Sequence, residues 1–361
     1  MKLEPKLSHG YLRAVYQLPD SLRVRDPLAE GVAAKLEEGR NVVIRGFWRI
    51  GKTELMRASL GKACERTGAS GFSFDLRSDY NADGLPASKE EALEKIRDKL
   101  GGFFEMAGAS GVPINPEAPL DVLKNLQGRL IIGIDELIAL NALGDQAMAE
   151  VLGHIKSVPP NIGLMLVCHR NAKVDGVFMR ELVRDGKFET VFVPPISDEE
   201  MEHIIGAPAS EYGISVAPQA VERLAALSGN KPWEAFTFAY MAASFMETTG
   251  AGVLEAGMVD ESVNMGALLQ DEHGRWVVDN YARILLTAMT PAESDAIQAI
   301  ATGTFNEAAA DAGVLQALQE SGWARCNGSW QVHGELFRDF IRAVASGEIR
   351  IQREGGEQSG R

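Results

Sequence analysis

Gly46-Phe47-Trp48-Arg49-Ile50-Gly51-Lys52-Thr53 lies between a short β-branched run, Asn41 to Arg45, and a helix-patterned stretch, Lys52 to Thr67. The eight residues match the phosphate-binding loop G-x-x-x-x-G-K-[ST], in the strand–loop–helix context that its mechanism requires. Gly46 and Gly51 let the backbone curl so that its amides face an anion at a helix N-terminus. Lys52 is placed to bridge the β- and γ-phosphates, and the Thr53 hydroxyl to ligate Mg2+. Phe47, Trp48, Arg49 and Ile50 complete the loop, and Glu54 follows Thr53 among the expected nucleotide contacts. Phe47 and Trp48 read better as a hydrophobic plug over the helix than as base-stacking groups.

Outward from the loop, the same rhythm recurs as far as Val193. Buried-strand candidates are Asn41 to Arg45, Gly71 to Leu76, Arg129 to Ile134, Gly163 to Cys168 and Phe188 to Val193. Each is nearly all apolar, as parallel strands covered on both faces are. Helix candidates lie at Lys52 to Thr67, Lys89 to Met106, Gly144 to Val158 and Val177 to Asp185. The expected class is therefore α/β, with a five-stranded parallel sheet of the P-loop NTPase kind.

The third strand ends in Asp135-Glu136, and strand ends are where such sheets place ligands. Asp135 is expected in the magnesium shell, and Glu136 is expected to orient and deprotonate an attacking water. A helix N-cap opening Leu137 to Leu143 is the competing use of the same two residues. The fourth strand runs out into His169-Arg170, either of which could sense a γ-phosphate. Arg184, late in the helix before the fifth strand, is read as a residue acting across a subunit interface or as a cation capping the helix C-terminus. No Asn-Lys-x-Asp guanine-reading motif follows the third strand, so ATP with Mg2+ is the expected ligand pair.

After Pro194-Pro195 the strand signal stops. Asp198 to Ile205, Pro218 to Ser228 and Pro232 to Met246 read as helices, the first capped by Ser197. Leu269 to Val278 has a hairpin-like reading, with Asp271-Glu272-His273-Gly274 as its turn. From Pro291 the order is a helix to Ile300, short helices at Asn306 to Ala312 and Val314 to Ser321, a hairpin from Trp323 to Val332 turning at Asn327-Gly328, and a last helix from Glu335 to Ala345. That is a winged-helix order. The expected organisation is an ATPase core over 1–196, led in by 1–39, then a helical lid over 197–250, a connector over 251–290, a winged-helix-like domain over 291–346 and a disordered tail over 347–361.

Composition narrows the partners. The 361 residues are 45% hydrophobic and carry a net charge of −14, so bulk electrostatics oppose non-specific binding to nucleic acid or anionic membrane. Residues 291–346 hold seven acids against three bases, and Val314 to Ser321 carries no base at all. A DNA-reading helix would present Arg, Lys, Asn or Gln there, and Gln316 and Gln319 alone are thin. No apolar run is long enough for a membrane span. Three scattered cysteines suit a reducing cytoplasm and suggest neither disulfide nor zinc.

With these residues in hand, roughly Leu22 to Ala345 resembles the AAA+ and STAND branch of P-loop ATPases, in particular the archaeal-type ATPases with a helical lid and a C-terminal winged helix. The resemblance rests on Arg45 to Thr53, Ile131 to Glu136, His169-Arg170, Pro195-Ile196-Ser197 and Ser228-Gly229-Asn230-Lys231-Pro232-Trp233. The chain departs from the family at Val24-Arg25-Asp26-Pro27, where an Arg-Glu pair is usual, and at Asn230, where glycine is usual. The resemblance implies an ATP-hydrolysing switch or assembly motor acting on a protein client or by self-assembly. The alternatives are a DNA-handling ATPase, using scattered bases such as Arg13, Arg23, Arg25, Arg40 and Arg57, and a nucleotide-binding scaffold with little hydrolysis.

Overall fold

A computed structural model describes residues 25–46, 49–77, 88–107, 114–126, 128–169, 182, 184, 186–211 and 213–351. The chain divides into two compact units, Arg25–Val193 and a second that runs from Pro194.

In the first unit, α1 (Asp26–Glu37), β1 (Asn41–Gly46), α2 (Lys52–Thr67), β2 (Ser70–Asp75), α3 (Lys89–Met106), β3 (Leu130–Asp135), α4 (Gly144–Lys156), β4 (Ile162–His169) and β5 (Phe188–Phe192) follow in sequence. The five strands form one parallel sheet in the order β2-β3-β4-β1-β5. Every residue of β3 and of β4 is buried, the consequence of helices on both faces. The expectation of burial fails for the edge strands: β2 has one buried residue of six and β5 two of five, because each has a neighbouring strand on one side only. Insertion of β4 between β1 and β3 separates the phosphate loop from the acidic strand end, with Gly46 paired to His169 and Asp75 to Asp135. The carboxyl ends of β1, β3 and β4 thus share one sheet edge.

The segment Leu137–Leu143 is a 3-10 helix with no side-chain cap, so Asp135-Glu136 is not an N-cap pair. The expected helix Val177 to Asp185 lies outside the described residues except for Leu182 and Arg184.

The second unit contains α5 (Asp198–Glu211), α6 (Pro218–Ser228), α7 (Pro232–Thr249), α8 (Ala256–Ser262), α9 (Met265–Gln270), α10 (Glu272–Arg283), α11 (Pro291–Thr302), α12 (Ala312–Glu320), the antiparallel pair β8 (Ala324–Cys326) and β9 (Trp330–Val332), and α13 (Glu335–Ser346). Two further short strands, β6 (Ser215–Val216) and β7 (Val253–Leu254), pair in parallel. Its core centres on Tyr281, Trp323, Phe337 and Phe340, with Trp323 and Phe337 ring centroids 4.6 Å apart.

Two sequence expectations fail here. Leu269 to Val278 is not a hairpin: Asp271 caps α10 by accepting from the amides of His273 and Gly274. Gly274, Val277, Val278 and Tyr281 are then buried at helical spacing. A Cβ on Gly274 would sit 2.6 Å from the Leu268 backbone, so that glycine permits close approach of α9 and is not a turn residue. Asn306 to Ala312 contains only a single 3-10 turn, Glu307–Ala309, before Asp311 caps α12.

Candidate functional site

The phosphate loop leads from the buried end of β1 into α2. Gly51 adopts φ +95°, a conformation that L side chains rarely take, and as the N-cap residue of α2 it offers no side-chain cap. With glycine at the cap position, the opening amides of this helix receive no acceptor from the N-cap side chain, the arrangement that suits an anion. Arg49 is also left-handed, at φ 57°. Phe47 and Trp48 lie outside the described residues.

Around this turn the described side chains close into one hydrogen-bonded cluster. The Thr53 hydroxyl donates to Asp135 Oδ2 over 2.5 Å. Lys52 Nζ lies 2.8 Å from His169 Nδ1, while His169 Nε2 lies 3.0 and 3.1 Å from the two oxygens of Glu136. An ammonium can only donate, so Nδ1 accepts from Lys52 and the ring proton sits on Nε2, donating to Glu136. Arg77, just beyond β2, brings a guanidinium nitrogen to 3.6 Å from Glu136 Oε2.

The electrostatics follow from burial. Lys52 is buried and its pKa is pushed down to about 8 by desolvation, with Glu136 and Asp135 opposing. Burial and the Lys52 charge push His169 down to about 4, so the imidazole is neutral at pH 7. Burial raises the Asp135 carboxyl above its ordinary value, against the Thr53 bond. For Glu136 burial is the largest single influence and acts upward. It is outweighed by the His169 bond together with the charges around it, and the net pKa lies below the usual carboxylate value. Glu136 also holds a left-handed backbone, φ 55°, a conformation that costs energy in a non-glycine residue and so draws attention to the position.

A hydroxyl and a carboxylate brought together from the loop and from β3 suit a hard cation that takes few protein oxygens and shares the rest of its shell with phosphate and water. Among the described residues no group of three or more His, Cys, Asp or Glu side chains is arranged to hold a metal on its own.

The expected residues therefore divide by placement. Lys52, Thr53, Asp135, Glu136 and His169 come together. Glu54 is exposed and pairs with Arg57 at 2.9 Å. Arg184 is exposed, and Arg170 lies outside the described residues. Arg77 escaped the sequence reading. Its signal was a cation two residues past a strand whose end pairs with Asp135.

No protein-family model and no curated protein matches the sequence. Among solved structures, the chain is similar to a Walker-type ATPase of Pyrococcus abyssi, with TM-score 0.56 and 18% identity over 87% of this chain and 95% of that one. It is also similar to the Orc1 protein of Aeropyrum pernix, solved in complex with DNA, with TM-score 0.50 and 14% identity over 93% and 98% of the two chains. Sheet order, loop position and these likenesses agree: the chain has the P-loop ATPase fold of the AAA+ type, a 2-3-4-1-5 parallel sheet followed by a C-terminal helical region.

Proposed function

We propose that this protein binds ATP with Mg2+ at the β1–α2 loop and hydrolyses it, using the cycle as a switch or assembly motor on a protein partner. The observation that carries this reading is the convergence of Lys52, Thr53, Asp135, Glu136 and His169 at one sheet edge.

The loop amides and Lys52 hold the β- and γ-phosphates, and Thr53 with Asp135 would hold Mg2+, which supplies charge neutralisation on the phosphates when bound. Glu136 orients a water for in-line attack on the γ-phosphorus and accepts its proton as the bond to the β-phosphate oxygen breaks, giving ADP and phosphate. Its lowered pKa keeps it in the unprotonated form that a base requires. Arg77 and His169 hold the carboxylate from two directions.

The test is a pair of variants. Lys52→Ala is expected to lose tight ATP binding, whereas Glu136→Gln keeps binding and loses turnover by about a hundredfold or more. Turnover in Glu136→Gln equal to the parent would remove Glu136 from the chemistry.

A DNA-handling role is the second reading, favoured by the likeness to an Orc1 protein solved with DNA. Among the described residues, three of the basic side chains named for it are otherwise engaged. Arg25 is buried and donates to the Ile50 carbonyl, Arg40 pairs with Glu38 and Glu189, and Arg57 pairs with Glu54. Arg13 and Arg23 lie outside the described residues. Helix α12 carries no base. Duplex binding that falls steeply with salt would restore this reading. No described helix is long and apolar enough to cross a membrane.

A further inference from the structure

His169 stands between the lysine and the acidic side of the cluster. Both ring nitrogens are engaged, and by the two groups with the most distinct tasks: Nδ1 by the ammonium that is to meet phosphate, Nε2 by the carboxylate that is to meet water. The ring is buried at the end of β4, opposite Gly46 in the β1 register. Lys52 is buried as well, so the donor it gives His169 is surrendered only if a stronger acceptor arrives.

We propose that His169 is a positioning residue that latches Lys52 to Glu136 in the resting site, so that phosphate must take Lys52 from the imidazole before the Glu136 carboxylate is set for its water. This rests on the assignment of the loop to nucleotide phosphates and of Glu136 to water. The pairing of Thr53 with Asp135 is the parallel arrangement on the metal side, where hydroxyl and carboxylate hold one another.

The latch makes His169 an opponent of nucleotide binding. A side chain that merely supports the fold would, when removed, weaken binding or leave it alone. Loss of the latch leaves a buried ammonium short of one acceptor in the free protein, which raises the energy of the free state and favours the bound one.

ADP is the appropriate probe, because it captures Lys52 through its β-phosphate and offers no γ-phosphate for the ring to touch. In the full chain, equilibrium titration with Mg2+ and ADP is expected to show binding on the order of tenfold tighter in His169→Ala and His169→Leu than in the parent, the equivalent of one charged hydrogen bond at its lower net value. Leucine fills the ring volume without supplying an acceptor. ADP affinity equal to or weaker than the parent in these folded variants overturns the latch.

Lys52→Ala separates the two ideas. If it binds ADP as the parent does, the phosphate assignment has failed. If it loses ADP while His169→Leu binds no tighter than the parent, only the latch has failed. Should both His169 variants fail to fold, 15N imidazole spectroscopy of the unaltered protein decides. The His169 Nδ1 resonance is expected to move when ADP is added while Nε2 stays protonated, and an unmoved Nδ1 resonance overturns the proposal.

Discussion

Among the described residues of the second unit Lys231 is the buried lysine or arginine, and replacing it with methionine tests whether that unit is organised around a charge. Its Nζ donates to the carbonyls of Ser228 and His333, both at 3.2 Å, stands 3.8 Å from Glu234 Oε2 and lies 4.7 Å from the Trp323 ring centroid. Lys231 and Glu234 are 4% and 3% exposed, and the remaining support for Glu234 is the Tyr281 hydroxyl, donating over 2.8 Å. Methionine matches the stem of lysine but leaves the carboxylate without its counter-charge. Breaking a buried pair from one side costs about 3 to 5 kcal/mol. Burial already raises the Glu234 pKa, and loss of Lys231 raises it further. The folded variant therefore holds a proton that the unfolded chain releases, and its stability deficit grows with rising pH. Lys231→Met with Glu234→Gln removes both charges and is expected to recover most of the loss.

Urea unfolding followed by tryptophan fluorescence suits the measurement, since Trp233, Trp276, Trp323 and Trp330 lie in the second unit and Trp48 in the other. For an m-value of about 2 kcal/mol/M the midpoint should fall by about 2 M in the single variant. A loss below about 1 kcal/mol, or a double variant no more stable than the single, would refute the reasoning.

Gly229 and Gly334 bring two chain segments back to back. A Cβ on Gly229, at φ +61°, would meet Gly334 N at 2.7 Å and the His333 carbonyl at 2.8 Å, backbone atoms that cannot yield. Gly229→Ala should cost more than about 3 kcal/mol, whereas Gly347→Ala, also left-handed but open on all sides, should cost only about 1 to 2; equal costs would show that the close approach is unimportant. His333, pushed down to about 4 by burial and by the charges of Lys231 and Arg325, is neutral when folded, so the unfolded chain takes up its proton first. The stability it confers is complete above the unfolded value of about 6.5 and falls as pH drops toward 4; a urea midpoint with the same pH slope in His333→Gln would exclude this group as the cause. Arg184→Ala, if Arg184 serves a neighbouring subunit, should lose on the order of a thousandfold in turnover with ATP affinity intact, and regain part of it when mixed with Glu136→Gln protein. A fully active variant leaves Arg184 as a helix-capping cation.

The α/β class, the phosphate loop and the acidic strand end were legible in the residues, because each depends on short-range physics. The apolar runs of β1, β3 and β4 must be buried on both faces, and a glycine-bounded turn ahead of Lys52-Thr53 can expose its amides. Asp271 to Gly274 misled for the same local reason. An aspartate with a glycine three residues on signals a turn, yet it also begins a helix, and only burial of Val277, Val278 and Tyr281 against neighbouring elements selects the helix.

Strand order was beyond local reading. By placing β4 between β1 and β3, the tertiary structure brought His169 within reach of both Lys52, 117 positions away, and Glu136, 33 away, and it carried Arg77 from the end of β2 to the same carboxylate. Lys231 shows the limit most sharply. A lysine ahead of a proline reads as a solvated loop residue, and only the tertiary packing that brings the Ser228 and His333 carbonyls, Glu234 and the Trp323 and Phe337 rings around it makes the interior a tolerable place for its charge.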